Sequence, residues 1–143
     1  TAANPLTMAV RNILVVDDIA TNRMVAAAFV EAEGINATQA ASGAEALELL
    51  ARGQFDLVLL DMNMPQMSGL ETFQAIRASN TAWASIPVIA LTADAMPEDT
   101  ARYLRAGLDG YLAKPLDKRA LRAEISSVFA GRINCEDRNG HAR

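Results

Sequence analysis

Phe55-Asp56-Leu57-Val58-Leu59-Leu60-Asp61-Met62-Asn63-Met64-Pro65 is the stretch on which the reading of this chain turns. The apolar run that follows Asp56 stops abruptly at a carboxylate, Asp61. A short apolar run bounded by turn residues fits a strand buried on both faces, as in a parallel sheet. Open parallel sheets present their functional side chains at the carboxyl ends of the strands. Asp61 falls at such an end, so the rest of the chain can be tested by what it brings there.

Outward from this strand, the same pattern repeats. Ile13-Leu14-Val15-Val16 is apolar and stops at Asp17-Asp18, and Pro87-Val88-Ile89-Ala90-Leu91 stops at Thr92. Ile35 to Ala40 and Gly110 to Ala113 give two weaker strands, the latter followed by Lys114-Pro115. Between them lie helical patterns. Asn22 to Glu33 places Met24, Val25, Ala28 and Phe29 at helical spacing and stops at Gly34. Ser42-Gly43-Ala44-Glu45 and Ser68-Gly69-Leu70-Glu71 read as capping boxes that open two further helices. Pro97, Glu98 and Asp99 suit the first turn of a fourth helix that ends at Gly107. Asp117 caps a fifth, with Leu121, Ile125, Val128 and Phe129 on one face. Strands and helices in strict alternation imply right-handed crossovers and a parallel sheet covered on both faces, an α/β fold.

The bulk numbers agree with one soluble domain. The chain has 143 residues, 51% hydrophobic and 21% charged. A net charge of -4 disfavours nonspecific nucleic-acid binding. The single cysteine, Cys135, cannot form an internal disulfide, and no Cys/His cluster suggests zinc. No apolar run reaches the roughly 20 residues of a membrane span. With no signal-peptide pattern at the start, a cytoplasmic location is expected. Residues 1–11 read as a linker or tail, 12–130 as the domain, and 131–143 as a polar tail.

Asp17, Asp18, Asp61, Thr92 and Lys114 all fall at one edge of this sheet. Three carboxylates brought together repel and need compensation. A hard divalent cation with oxygen ligands supplies it, and magnesium commonly takes one or two carboxylates. An acid cluster, a cation, an ammonium and a hydroxyl suit phosphoryl transfer, where catalysis is positioning and charge neutralisation. Each residue alone has a plainer reading. Asp17-Asp18 could cap a helix, Thr92 could be a loop hydroxyl, and Lys114 a solvated lysine. It is their convergence on one edge that favours chemistry. Trp83 reads as packing, and His141, in the polar tail, as no phosphohistidine.

The chain resembles the receiver domains of two-component signalling, built like the bacterial chemotaxis regulator. The resemblance covers about Asn12 to Ala130. It rests on Val15-Val16-Asp17-Asp18, Leu60-Asp61-Met62-Asn63-Met64-Pro65 with Ser68-Gly69, Leu91-Thr92-Ala93, and Lys114-Pro115. It implies a flavodoxin-like doubly wound (βα)5 fold, five parallel strands in the order 2-1-3-4-5. It also implies that Asp61 accepts a phosphoryl group from a phosphohistidine. Asp18, Asp61 and the Asn63 carbonyl match the ligands of magnesium, or manganese in its place, with Asp17 helping directly or through water. Lys114 matches the lysine that pairs with the phosphoryl group, and its bond to Pro115 is expected cis. Thr92 and Tyr111 match the switch pair, though Tyr111 could simply be a half-buried strand aromatic. Small Ala93, with Asn63 and Asp94 flanking the site, implies a phosphoryl lifetime of seconds to minutes.

The implied partner is a histidine kinase or histidine phosphotransfer protein, with no direct contact to nucleic acid or membrane. Weak homodimerisation through the fourth-helix face stays open. Asp17-Asp18-Ile19-Ala20-Thr21-Asn22-Arg23 resembles the opening of receivers in hybrid sensor histidine kinases, so Thr1 to Val10 is expected to link to an upstream kinase. The alternative is a free-standing regulator, with Met8 as its native start. Two other classes compete: a pseudo-receiver that only binds, and a hydrolase with an aspartyl nucleophile. The complete acid, Thr and Lys set speaks against the first. Asn63, where a second general acid would stand, speaks against the second. A nucleotide-binding flavodoxin is disfavoured because no Gly-rich loop follows the first strand. The domain itself is expected to be a switch that phosphorylates and dephosphorylates itself, whatever enzyme it belongs to.

Overall fold

The computed structural model describes residues 10–93 and 97–128. The leading segment through residue 9, Asp94, Phe129, Cys135, His141 and the rest of the polar tail lie outside the described residues.

Five strands form one parallel sheet: β1 (Asn12–Val16), β2 (Asn36–Ala40), β3 (Leu57–Asp61), β4 (Val88–Thr92) and β5 (Gly110–Ala113). Their order is β2-β1-β3-β4-β5, as the resemblance implies. Helices α1 (Ala20–Ala32), α2 (Gly43–Arg52), α3 (Gly69–Arg77) and α4 (Pro97–Ala106) alternate with the strands, and α5 covers residues 118–128.

Central strands must be apolar on both faces, because helices cover both. Every residue of β3 and β4 is buried, whereas edge strand β2 is largely open and β5 alternates. The period of two sorts neighbouring residues into two cores. Leu14, Val16, Val58, Leu60, Val88 and Ala90 face α2, α3 and α4 through Leu50, Phe73 and Tyr103. Ile13, Val15, Leu57, Leu59, Ile89 and Leu91 face α1 and α5 through Ala26, Val30, Leu121 and Ile125. Val10 is fully buried in this second core, and the Arg11 amide donates to Asp56 Oδ2 at 2.8 Å. Val10 and Arg11 thus contact the fold just ahead of β1.

Local signals act largely where they stand. Ser68 and Glu71 form a complete capping box at α3. At α2 only half of one forms: Ser42 caps the Glu45 amide, but Glu45 Oε1 reaches back past Ser42 to the Ala41 amide at 2.6 Å. Asp117 Oδ2 accepts from the Ala120 amide at 2.9 Å at the start of α5. Helix α1 begins two residues before the expected Asn22, with Ile19 as its N-cap and no side-chain cap. Asp17 and Asp18 therefore do not cap α1, and remain available to the sheet edge.

Candidate functional site

Parallel register decides which side chains meet. Val16 pairs with Leu60, Asp61 with Leu91, and Thr92 with Ala113. The residues that end or follow β1, β3, β4 and β5 thus share one edge: Asp17 and Asp18, Asp61, Thr92, and Lys114. Asp17 and Asp61 are each 1% exposed and Thr92 is fully buried. One carboxylate oxygen from each of Asp17, Asp18 and Asp61 lies within 4.8 Å of the others.

Lys114 reaches into this cluster. Its Nζ lies 3.0 Å from Asp61 Oδ1 and 3.1 Å from Asp17 Oδ2. The Lys114 amide donates to the Thr92 carbonyl at 2.8 Å, which ties the lysine's own backbone to β4. The Lys114–Pro115 bond is cis. The Asn63 amide also donates to Asp61 Oδ1, at 3.2 Å. Asp17 Oδ1 accepts from the Ile19 amide at 2.9 Å.

The charges do not balance. Burial pushes the Asp61 carboxyl above its ordinary value; the hydrogen bonds from Lys114 and the Asn63 amide only partly offset this, and the Asp17 charge adds to it. Burial works against the Lys114 ammonium, but Asp61 and Asp17 outweigh it and hold its pKa above the ordinary lysine value. Asp18 Oδ1 is enclosed and has no hydrogen-bond partner. An orphaned acceptor beside two buried acids is costly unless something positive fills the space. The oxygen-only donor set fits a hard divalent cation.

The end of β3 is held by a close approach. A Cβ on Gly69 would run into the Asp61 carbonyl and the Met62 Cα. Glycine lets the start of α3 lie against the strand end, and the Gly69 amide donates to the Met62 carbonyl at 3.2 Å. Asn63 itself is exposed at the rim.

Residues 13–126 match the family model of the response regulator receiver domain. The chain belongs to that family. The Vibrio cholerae chemotaxis protein CheY-3 is 36% identical over 118 residues, 82% of this chain and 90% of that protein. The aerobic respiration control sensor ArcB of Escherichia coli is 40% identical over 118 residues, 82% of this chain but 15% of the sensor. Among solved structures, the receiver domain of sensor histidine kinase PA1611 from Pseudomonas aeruginosa superposes with a TM-score of 0.74. It is 32% identical, covers 85% of this chain and 99% of its own, and has magnesium coordinated in its active-site cleft. Receiver domains bind magnesium at an acidic cluster and act with histidine kinases or phosphotransfer proteins.

Not every expected residue of this receiver domain stands in the cluster. Tyr111 is 37% exposed and points outward, because Gly110 and Leu112 take the buried positions of β5. Its amide donates to Glu124 Oε2 on α5 at 2.9 Å. Trp83 packs partly against the core at the opposite, amino edge of the sheet, where it lines a cavity of about 540 Å³ with Phe55 and Ile86. A smaller cavity of about 150 Å³ opens beside the cluster, lined by Asp17, Asn22, Val25, Lys114, Pro115 and Leu116. No described helix is long and apolar enough to cross a membrane.

One participant carries no obvious sign in the sequence. Arg23 donates from Nη1 to the Asp17 carbonyl at 2.7 Å and from Nε to Gln39 Oε1 at 3.2 Å. Asn22-Arg23 marks the resemblance to hybrid-kinase receivers, but only the fold shows where the guanidinium goes.

Proposed function

We propose that Asp61 is the phosphoacceptor of this receiver domain. The observation that carries the reading is a buried carboxylate at a strand end, sharing one lysine with a second acid beside a third that has an orphaned oxygen. An Asp61 carboxylate oxygen attacks the phosphorus of a phosphohistidine, forming an acyl phosphate O–P bond. The P–N bond breaks, and its electron pair returns to the imidazole nitrogen, which takes a proton from solvent. Lys114 sits 3.0 Å from the attacking group and pairs with the charge that gathers on the phosphoryl oxygens. Asp17, Asp18, Asp61 and the Asn63 carbonyl would hold magnesium, or manganese in its place, which supplies further neutralisation of that charge.

Thr92 is the hydroxyl that responds to the phosphoryl group, and Tyr111 the aromatic that follows it from its outward position. Their movement transmits a local charge change to the surface formed by α4, β5 and α5. The partner is a histidine kinase or histidine phosphotransfer protein in the cytoplasm. Identity of 40% to ArcB and the Asn22-Arg23 pair favour a receiver within a hybrid sensor kinase. Coverage of 90% of CheY-3 supports the alternative, a free-standing regulator.

The test is labelling by acetyl phosphate or by a phosphorylated histidine protein, with and without magnesium. Wild type is expected to form an acid-stable, base-labile adduct that Asp61→Asn does not form and that chelation prevents. Undiminished labelling of Asp61→Asn would remove the assignment.

A further inference from the structure

Asp18 presents a problem that its own side chain does not solve. Its Oδ1 is enclosed with no hydrogen-bond partner, so no donor orients that oxygen. The place from which that carboxylate reaches into the cluster is set by the backbone that carries it. That backbone is held one residue earlier from both sides of the Asp17 residue. The Asp17 amide donates to the Ala40 carbonyl of β2 at 3.1 Å, and the Asp17 carbonyl accepts from Arg23 Nη1 at 2.7 Å. The Asp17 carbonyl belongs to the peptide unit that leads into Asp18, and a planar peptide fixes where the next Cα goes. Arg23 in turn is aimed by Gln39, through Nε at 3.2 Å. A guanidinium can serve two acceptors at once because its donors form a rigid fork.

We propose that Arg23 is a positioning residue for the divalent-cation site: it clamps the Asp17–Asp18 peptide, with Gln39 as its anchor, so that the Asp18 carboxylate is set before the cation arrives. This rests on the reading of Asp17, Asp18 and Asp61 as the cation site. The guanidinium bonds go to the Asp17 carbonyl and to Gln39 Oε1, so Arg23 acts through the backbone. The sign of its effect separates this role from a purely electrostatic one. A positive charge near a cation site opposes cation binding, so removing it for charge alone would tighten magnesium. Releasing a support behind a ligand weakens binding instead.

Arg23→Met keeps the apolar stem and removes both the charge and the fork. Titration calorimetry with magnesium is expected to show about tenfold weaker binding. In the metal-free protein, amide exchange at Asp17 and Ile19, followed by NMR, is expected to speed up while the core strands keep their protection. Arg23→Lys keeps one donor for the Asp17 carbonyl and recovers part of the affinity. Gln39→Ala loses less than Arg23→Met. Unchanged or tighter magnesium binding by Arg23→Met overturns the inference. So does weaker binding with unaltered Asp17 and Ile19 exchange, or with no recovery in Arg23→Lys. Should Arg23→Met fail to fold, Arg23→Lys and Gln39→Ala decide: magnesium affinity equal to wild type in both overturns the clamp. Wild type that binds no magnesium sinks the cation-site reading itself, whereas the exchange measurement still reads the clamp.

Discussion

The two edges of the sheet each hold a cation among oxygen acceptors, and they are filled differently. At the amino edge, Arg77 at the end of α3 gives Nη1 to the Ala84 and Ile86 carbonyls at 2.9 and 2.8 Å. Its Nη2 reaches Asp109 at 3.2 Å, and the guanidinium lies 4.5 Å from the Phe73 ring centroid. Asp109 also accepts the Val88 amide at 2.8 Å. Asp56, nearby, accepts the Arg11 and Asn12 amides at 2.8 and 3.0 Å. Each described carboxylate here has its donors. At the carboxyl edge, one ammonium serves two buried acids, and a third keeps an unpartnered oxygen. The same kinds of group close the fold at one end and leave it short of positive charge at the other. The shortage marks the end that a ligand completes.

The most severe way to break this contrast is to remove Lys114. Lys114→Met strips the ammonium from Asp17 and Asp61 and is expected to cost about 3–5 kcal/mol in metal-free protein at neutral pH, because both acids are left buried. Magnesium should return part of that loss. Urea unfolding with and without magnesium measures both. A loss under about 1 kcal/mol without metal would show that the cluster is not short of positive charge. The matching change at the other edge is smaller. Arg77→Met removes charged hydrogen bonds that are partly open to solvent, and is expected to cost about 2 kcal/mol. Its cost should be the same with and without magnesium, and Asp61 labelling should persist. A magnesium-dependent cost would mean that the two edges are coupled.

Much of the carboxyl edge was legible in the chain, and the reason is local. A buried parallel strand is an apolar run, and the residue that ends the run is visible as a break in hydropathy. Asp17, Asp61, Thr92 and Lys114 are all such residues. The outward turn of Tyr111 follows the same logic, since buried Gly110 and Leu112 flank it at a period of two. What could not be read depends on reach. Arg23 meets Gln39 on a strand that follows its helix, and Arg77 meets Asp109 across two intervening elements. Long flexible side chains can bond to anything within several ångströms, and only the folded register says what lies there. The missing partner of Asp18 Oδ1 is likewise a fact about enclosure, which residue order does not carry. At Glu45, the capping-box spacing was right, but the carboxylate took the Ala41 amide instead of its expected partner.

The subtlest test uses protons in place of mutations. Burial raises the Asp61 pKa, with Lys114 and the Asn63 amide opposing and Asp17 reinforcing. The folded protein therefore holds the Asp61 proton more tightly than the unfolded chain, whose carboxyl titrates near about 3.9. Between that value and the raised one, the unfolded chain has fewer protons bound, so stability falls as pH rises. Lys114 does not mask this. Its pKa is raised too, so its stabilising share is complete below the ordinary lysine value and fades only in alkali. Magnesium needs the ionised carboxylates, so its stabilisation should grow with pH across the Asp61 window. Thermal unfolding of wild type and Asp61→Asn, each with and without magnesium from mild acid to neutrality, isolates the contribution of the Asp61 proton. Metal-free wild type should lose stability relative to Asp61→Asn as pH rises, and magnesium should reverse that trend. Parallel curves for the two proteins would mean that the buried Asp61 charge is already compensated, and the carboxyl edge would then be as complete as the amino edge.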